Sequence, residues 1–145
     1  MAAAEPMDGT ALLAMLSRLA SEPRSTVYLQ QPASEAAIVA MQDAASRDLG
    51  DAVPGGYLAL LRASNGLQIN GAYFKEAENL VPENLDVPRE AVIVLGNQGN
   101  VSECVFDRRD RRFHIVAMGP EDERLASFDT FAEMLLAVMR DEQVL

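Results

Sequence analysis

Cys104 and His114 are the single cysteine and the single histidine of the chain, and we predict a β-hairpin that contains both. A nucleophilic Cys–His pair needs both side chains on one face of a sheet, within hydrogen-bond reach. If the hairpin pairs Asp107 with Arg112, the two side chains point to opposite faces, whereas a shift of one residue places them on the same face. The favoured interpretation is a buried thiol and a half-exposed imidazole without a catalytic role.

Other patterns that support chemistry are weak in this sequence. A zinc site needs several Cys or His residues at ligand spacing, and the chain has one of each. The acidic run at 121–123 lacks the alternating spacing of a calcium loop. The stretch GNQGN at 96–100 is a lone Gly-x-x-Gly without a strand-to-helix context, so it predicts a turn rather than a phosphate loop. We therefore expect no metal, no cofactor and no enzymatic activity.

The charge balance points away from nucleic acids. The net charge is −10, with 12 basic and 22 acidic residues, whereas phosphate binding needs a surplus of Lys and Arg. One basic cluster lies at the predicted hairpin tip and contains Arg108, Arg109, Arg111 and Arg112. A solvated turn is the favoured interpretation of this cluster, and an anion site is the alternative.

Acidic residues concentrate in two stretches, 76–90 and 121–123. They are Glu76, Glu78, Glu83, Asp86, Glu90, Glu121, Asp122 and Glu123. Two interpretations stand side by side: a solvated surface, and a negative face that attracts a basic protein partner.

A few features of the sequence bear on the cellular compartment of the protein. One cysteine excludes an intrachain disulfide and favours a reducing compartment. The first ten residues lack a basic segment followed by an apolar one, and the apolar runs are too short to cross a bilayer. We expect a soluble, cytoplasmic protein that does not bind membranes.

The first half of the chain predicts three helices and a hairpin. Apolar spacing predicts helices at 10–20 and 35–48, the second capped by Ser34, with a short extended piece at 26–29 between them. A third helix begins near Pro54 and ends at Asn65-Gly66, where glycine adopts the left-handed conformation of a C-terminal cap. Asn70-Gly71 between two apolar segments predicts a tight β-hairpin.

The second half predicts strands followed by a helix. We expect a loop with at most one helical turn at 75–90, because Pro82 and Pro88 interrupt it. The remaining elements are predicted in chain order: a strand at 91–96, a turn at 97–100, a strand at 101–107, a loop, a strand at 112–118, an exposed loop at 119–124 and a helix at about 128–141. Thr130 or Ser127 caps this helix, and one apolar stripe contains Phe128, Phe131, Leu135 and Val138.

Helices followed by adjacent strands and a last helix indicate the α+β class. We expect a mainly antiparallel sheet meander, with the N-terminal helices and the C-terminal helix packed on it. The length of 145 residues fits one domain, residues 1–145, which begins with a helix and connector at 1–33.

Three segments together resemble the SUKH superfamily, which includes the Smi–Knr cell-wall-assembly type. They are LGDAVPGGYLALLRASNG, VLGNQGNVSECVFD and ASFDTFAEMLL. The residues that match the family pattern are Pro54, Tyr57, Asn65, Gly66, Gly96, Gly99, Phe106, Asp107, Ser127, Phe128 and Phe131. The order and spacing of the three segments carry the resemblance, which covers about residues 34–140.

The resemblance implies an antiparallel sheet with helices packed on it, and it assigns structural roles to the matching residues. Many bacterial members are immunity proteins, which bind and neutralise nuclease or other toxin domains, and other members act as scaffolds or regulators. The resemblance therefore implies a non-enzymatic protein-binding domain, most simply an immunity protein that binds a basic toxin domain. An intracellular scaffold is the alternative. The oligomeric state and the binding face are left open by the sequence.

Overall fold

Five α-helices and seven β-strands form the part of the chain that this computed structural model describes, residues 9–89, 91–119 and 123–145. The helices are α1 (Gly9–Ala20), α2 (Glu35–Ala44), α3 (Gly55–Ala63), α4 (Ala77–Asp86) and α5 (Phe131–Asp141). The strands are β1 (Val27–Leu29), β2 (Leu67–Ile69), β3 (Ala72–Phe74), β4 (Val92–Gln98), β5 (Ser102–Asp107), β6 (Arg112–Ala117) and β7 (Arg124–Phe128).

The sheet is an antiparallel meander in the order β1 to β7, each strand pairing with the next one along the chain. The predicted α+β class is therefore confirmed. Alternate residues of β5 and β6 face a core that the helices cover, among them Cys104, Phe106 and Phe113. The opposite face carries a smaller apolar cluster built around Val105 and Val116.

An aromatic group joins the helices to the sheet. Phe131, the first residue of α5, lies 5.1 Å from Tyr57, 5.6 Å from Phe74 and 6.0 Å from Phe113, measured between ring centroids. The first two pairs are close to edge-on, which is a favoured geometry for aromatic rings. One ring of α5 therefore contacts α3, β3 and β6.

The β5–β6 hairpin has the register that pairs Asp107 with Arg112. Cys104 lies opposite Ile115, and His114 lies opposite Val105, so the thiol and the imidazole are on opposite faces of the sheet. The register that would bring them together is therefore excluded.

The helix predicted at 35–48 forms in two parts. Ser34 caps α2, since its hydroxyl accepts a hydrogen bond from the Ala37 N–H at 3.1 Å. After Ala44 the chain continues as a π-helical turn, Ala45–Leu49, which ends at Gly50 with φ +83°. Such wide turns occur as short insertions in helices.

The two Asn-Gly pairs differ in detail from the prediction. Gly66 has a left-handed φ of +84°, but Ser64 is already extended, so Gly66 turns the chain into β2 instead of capping α3. The second pair forms the predicted hairpin between β2 and β3, and Asn70 supplies the positive φ of +49°.

The prediction of a loop at 75–90 is wrong, because α4 occupies Ala77–Asp86. Leu80 and Val81 pack into the main core, while Pro82 lies on the exposed side. A proline in a helix removes one N–H donor. Here the carbonyl that loses its partner belongs to Glu78, which is also exposed, so water can satisfy it.

Asn84 connects α4 to the edge of strand β4. Strand β3 pairs with β4 only from Gly96 to Gln98, so the earlier part of β4 has no strand on that side. The buried Asn84 side chain accepts from the Val94 N–H at 2.8 Å and donates to the Val94 carbonyl at 3.0 Å. The Asn84 side-chain amide thus makes the two hydrogen bonds to the Val94 backbone that a neighbouring strand would otherwise make. This arrangement favours the helix α4 over an extended segment beside this part of β4.

The C-terminal boundaries also differ from the prediction. The turn predicted at 97–100 begins at Gly99, because Asn97 and Gln98 still pair with β3. The exposed loop predicted at 119–124 is shorter, since Arg124 begins β7, and residues 120–122 lie outside the described residues. Ser127 does not cap the last helix, and Phe128 is not part of its stripe.

Ser127 and Phe128 belong to β7, a strand that pairs with β6 and that the sequence analysis does not predict. Thr130 caps α5 by accepting from the Glu133 N–H at 3.2 Å. The rest of the predicted stripe is buried in α5, as Phe131, Leu135 and Val138.

Candidate functional site

The residues of the first SUKH-like segment hold α3 and α4 against the sheet. The buried Tyr57 hydroxyl donates to the carbonyls of Lys75 and Leu95, which lie just after β3 and on β4. Burial raises the pKa of this phenol well above its usual value, so it remains a neutral donor. Pro54 precedes the first residue of α3. Tyr57 therefore joins a helix to two neighbouring strands.

Asn65 caps α4 from a distance in sequence. Its side-chain oxygen accepts from the Ala77 N–H at 2.8 Å, and its amide nitrogen donates to Glu78 at 2.8 Å. The first N–H groups of a helix have no partner within the helix, so a side-chain acceptor stabilises them. Asn65 therefore fixes the start of the acidic helix.

We expect Asn65→Ala to lower the free energy of unfolding by about 1 kcal/mol, the usual cost of removing a helix N-cap. Urea denaturation followed by circular dichroism measures this difference. Asn100→Ala, in the exposed β4–β5 turn, is the matched control and should change stability by less than about 0.5 kcal/mol. Equal stability of the two variants would contradict the capping role.

Asp107 is the centre of an ion-pair group at the β5–β6 turn. It is 1% exposed and accepts hydrogen bonds from the Arg109 backbone N–H at 2.8 Å and the Arg109 guanidinium at 2.9 Å. Arg124 of β7 donates to the same carboxylate at 2.6 Å. The hydrogen bonds from Arg109, with the charge of Arg124, lower the pKa of Asp107 to about 2.

His114 lies beside this group on the outer face of the sheet, in a hydrogen-bonded chain with Ser127 and Asp110. Its Nδ1 lies 2.7 Å from Ser127 Oγ, and its Nε2 lies 2.9 Å from Asp110 Oδ2. The expected half-exposed imidazole is wrong: the residue is 1% exposed. The reason is β7, which places Ser127 directly opposite His114.

The order serine, histidine, aspartate has the connectivity of a hydrolytic triad, but the geometry favours a structural role. The imidazole is buried, and Ser127 lies within a regular ladder pair rather than on a sharp turn. Arg124 also donates to Asp110 at 3.2 Å. The hydrogen-bonded series of Ser127, His114 and Asp110 therefore links β6, β7 and the turn between β5 and β6.

Cys104 is equally unsuited to nucleophilic chemistry. Burial in the core raises the pKa of its thiol to about 12, so the thiol is protonated at neutral pH. It is buried on the face opposite His114, as a small apolar residue. The predicted buried thiol is confirmed.

The carboxylates of Asp107 and Asp110 and a ring nitrogen of His114 lie within 4.8 Å of one another, a spacing compatible with a metal ion. Arg109 and Arg124 already donate to these carboxylates and neutralise them. A cation would have to displace both guanidinium groups, so these residues fit an internal ion-pair network better than a metal centre.

Three of the four arginines at the hairpin tip are paired internally, while the Nε atom of the fourth, Arg108, is buried without a hydrogen-bond partner among the described residues. Besides Arg109, Arg111 pairs with Asp51 at 2.7 Å and lies over the Phe106 ring, and Arg112 pairs with Asp129 at 2.9 Å. Their carboxylate partners favour the solvated-turn interpretation over an anion site.

Two glycines of the second segment have separate structural roles. At Gly96, a Cβ atom would overlap the Tyr73 carbonyl oxygen and lie 3.1 Å from Phe74 Cα, so only glycine permits this approach of β3 and β4. Gly99 has a φ of +54° in the turn that follows β4. Both roles belong to the fold rather than to a ligand.

The acidic residues predicted as a partner surface divide between two places. Glu76, Glu78, Glu83 and Asp86 lie on α4 or at its first turn. Glu123 is exposed beside β7, three strands from β4, a separation of about 14 Å at ordinary strand spacing. Glu90, Glu121 and Asp122 lie outside the described residues. The described acidic residues therefore centre on α4.

An apolar groove runs between α2 and α4, with a volume of about 450 Å³. Small and aliphatic side chains line it from both helices: Ala37, Ala40, Met41 and Ala44 on one side, and Ala77, Val81, Pro82 and Leu85 on the other. Arg47, Asp48 and Glu78 line it as well. Leu85 is 46% exposed, and Val87 just beyond α4 is 68% exposed. An apolar centre beside charged residues is the composition of a protein interface.

Sequence reasoning missed this groove because it missed α4. A signal was present, since Ala77, Leu80, Val81 and Asn84 recur at helical spacing and are all buried. Two prolines and many charges outweighed that spacing in the prediction.

The chain matches no protein-family model and no curated protein. The resemblance to the SUKH superfamily therefore depends on the residues described above. No helix in the described ranges is both long enough and apolar enough to cross a membrane.

Proposed function

We propose that this chain is a non-enzymatic protein-binding domain of the immunity type, which neutralises a basic toxin domain by covering its active site. The proposal rests on the proposed membership of the SUKH superfamily. The observation that carries it is the exposed acidic helix α4, beside an apolar groove. Such a surface suits a partner that is basic because its own substrate is a nucleic acid.

Four carboxylates on α2, on α4 or next to α4 have no ion-pair partner among the described residues, although Glu78 and Glu76 accept hydrogen bonds from Asn65 and Tyr73. They are Asp43, Glu76, Glu78 and Asp86. By contrast, Glu83 pairs with Lys75 at 2.6 Å and Asp48 pairs with Arg47 at 3.0 Å. The unpaired carboxylates give the face a negative potential that accelerates encounter with a positive partner.

Asp86 is the clearest member of this set. It is the last residue of α4, where a negative charge opposes the helix dipole, and the last turn holds no basic residue. This placement costs the helix about 0.5 kcal/mol. In the proposed complex, a positive group of the partner beside Asp86 would offset this cost.

The test is capture of the partner followed by a toxicity assay. The tagged chain is purified from its source cells, and proteins that remain bound are identified by mass spectrometry. A basic domain that kills cells when expressed alone, and is tolerated when this chain is co-expressed, is the expected result. A non-toxic partner would contradict immunity and favour the scaffold alternative, in which the acidity serves solubility.

We expect Asp86→Lys to weaken binding of that partner about tenfold at low salt, with a smaller effect at high salt, because a rim charge is reversed. Isothermal titration calorimetry at two salt concentrations measures the change. Glu22→Lys, on an exposed residue after α1, changes the net charge equally and is the control. Equal loss in both variants would show that net charge, rather than the α4 face, determines affinity.

A further inference from the structure

The chain contains two Asn-Gly pairs, Asn65-Gly66 and Asn70-Gly71, and the structure holds them very differently. Asparagine is a chemically labile residue, and a following glycine has no Cβ atom to shield its N–H from the asparagine side chain. Loss of the amide then depends on how freely the asparagine Cγ atom and the glycine nitrogen can meet. Because both pairs share this local chemistry, each one is a reference for the other.

The Asn65 side chain is held at both of its polar atoms. Its Oδ1 accepts from the Ala77 N–H at 2.8 Å, and its Nδ2 donates to the two carboxylate oxygens of Glu78 at 2.8 and 3.0 Å. Gly66 is buried, and three neighbouring atoms lie within 3.4 Å of the place where its Cβ would be. The Asn65 amide can therefore react only after these hydrogen bonds break.

The Asn70-Gly71 pair is exposed, in the turn between β2 and β3. Within the described residues, the Asn70 side chain makes one hydrogen bond, to the Glu142 carbonyl at 3.4 Å, which is long for such a bond. No described residue accepts a hydrogen bond from the Gly71 N–H. A Cβ at Gly71 would meet only the Glu142 carboxylate, which ends a flexible side chain. The Asn70 Cγ atom and the Gly71 nitrogen are thus free to meet.

We propose that Asn70 is the site at which this chain deamidates, whereas the cap that Asn65 forms on α4 protects Asn65. The Gly71 nitrogen forms a bond to Asn70 Cγ, and its proton passes through solvent to Nδ2, which leaves as ammonia. Water then opens the resulting succinimide at one of its two carbonyls and gives an aspartyl or isoaspartyl residue at position 70. One water is consumed and one ammonia is released, without oxidation or reduction.

The products change both the charge and the turn beside α5. Glu142 is the C-cap residue of α5, and its carbonyl accepts from the Asn70 amide. A carboxylate at position 70 cannot donate at neutral pH, and it meets the negative end of the helix dipole. Each event adds one negative charge to the net charge of −10, and the isoaspartyl product lengthens the main chain of the turn by one atom. We expect the deamidated chain to be less stable than the intact chain.

The test follows both asparagines at pH 8 and 37 °C, in the folded chain and in guanidinium chloride. Cleavage after Arg62 and Lys75 gives one tryptic peptide, residues 63–75, that contains both, so fragment masses assign each gain of one mass unit. In the folded chain we expect Asn70 to react at least about tenfold faster than Asn65, since Asn65 must first open. In guanidinium chloride, where both side chains are free, the rates should agree within about threefold.

Two variants of α4 test the cause of the protection. Glu78→Ala removes an acceptor of the Asn65 amide, whereas Glu83→Ala removes the same charge from a residue that pairs with Lys75 instead. We expect the Asn65 rate to rise about threefold in Glu78→Ala and to stay unchanged in Glu83→Ala, with the same Asn70 rate in both variants. Circular dichroism verifies that the two variants fold alike.

Each contrary outcome overturns a defined part of the inference. Equal rates in the folded chain, or an Asn70 that reacts only after unfolding, remove Asn70 as the site. A tenfold ratio that persists in guanidinium chloride assigns the difference to neighbouring residues instead of the fold. An unchanged Asn65 rate in Glu78→Ala removes the cap as the protecting contact. These outcomes are separate from the proposed function, because no partner takes part in the reaction.

Discussion

Gly96→Ala is expected to lower the free energy of unfolding by about 3 kcal/mol, the upper range for overpacking a tight site. The added Cβ would overlap the Tyr73 carbonyl oxygen, lie 2.8 Å from the Phe74 ring and lie 3.1 Å from Phe74 Cα. Two of these neighbours belong to the backbone of β3, which pairs with β4 here, so β3 has to move. Phe74 also contacts Phe131, so the displacement extends to the core.

Gly55→Ala is the matched control for this substitution. Gly55 is the first residue of α3, and a Cβ there meets nothing within 4 Å. Alanine favours the helix over glycine, so we expect this variant to be at least as stable as the unsubstituted chain. Urea denaturation of both variants at pH 7 gives the comparison. A Gly96→Ala variant with unchanged stability would mean that β3 and β4 lie farther apart than described.

Asp107→Asn is expected to cost about 2 kcal/mol at neutral pH, because the carboxylate is stabilised by the Arg109 and Arg124 guanidinium groups. Its pKa falls from 3.8 to about 2 in the folded chain. Each unit of pKa difference between the folded and unfolded states corresponds to about 1.4 kcal/mol. The folded pKa is lowered, so this stabilisation is present above pH 3.8 and is lost as the pH falls towards 2.

The measurement is the free energy of unfolding of both proteins between pH 7 and pH 2. The unsubstituted chain should lose stability more steeply than Asp107→Asn below pH 4, and the two curves should converge near pH 2. Asp129→Asn is the control, since Asp129 forms an exposed pair with Arg112 that contributes at most about 0.5 kcal/mol. Parallel curves for the chain and for Asp107→Asn would contradict a lowered pKa at this site.

Two asparagine side chains hold the acidic helix α4, on which the proposed function depends, in its place on the fold. Asn65 caps α4, and Asn84 attaches it to Val94 of β4. Both side chains fix α4 relative to the sheet, and with it the groove that faces α2. A rigid surface binds a partner with less loss of conformational entropy than a mobile one. The SUKH-like Asn65 thus positions the surface that we propose for binding.

Local patterns in the sequence determined most of the elements. Alternating apolar residues, Asn70-Gly71 and the charged turn after Asp107 were enough to predict the hairpins. The register that separates Cys104 from His114 was left open by the sequence, and the structure decided it. Ser34 and Thr130 were recognised as caps. These signals act over a few residues, so they can be interpreted without knowing the rest of the chain.

Tertiary structure decided β7, α4 and the burial of His114. Strand β7 has two exposed residues at its start, and only pairing with β6 makes it a strand. Helix α4 contains a proline and gains its stability from the distant partners Asn65 and Val94. These contacts join residues far apart in sequence, and their free energy outweighs the local preference of the segment. The groove exists only because α4 is held against α2 in this way.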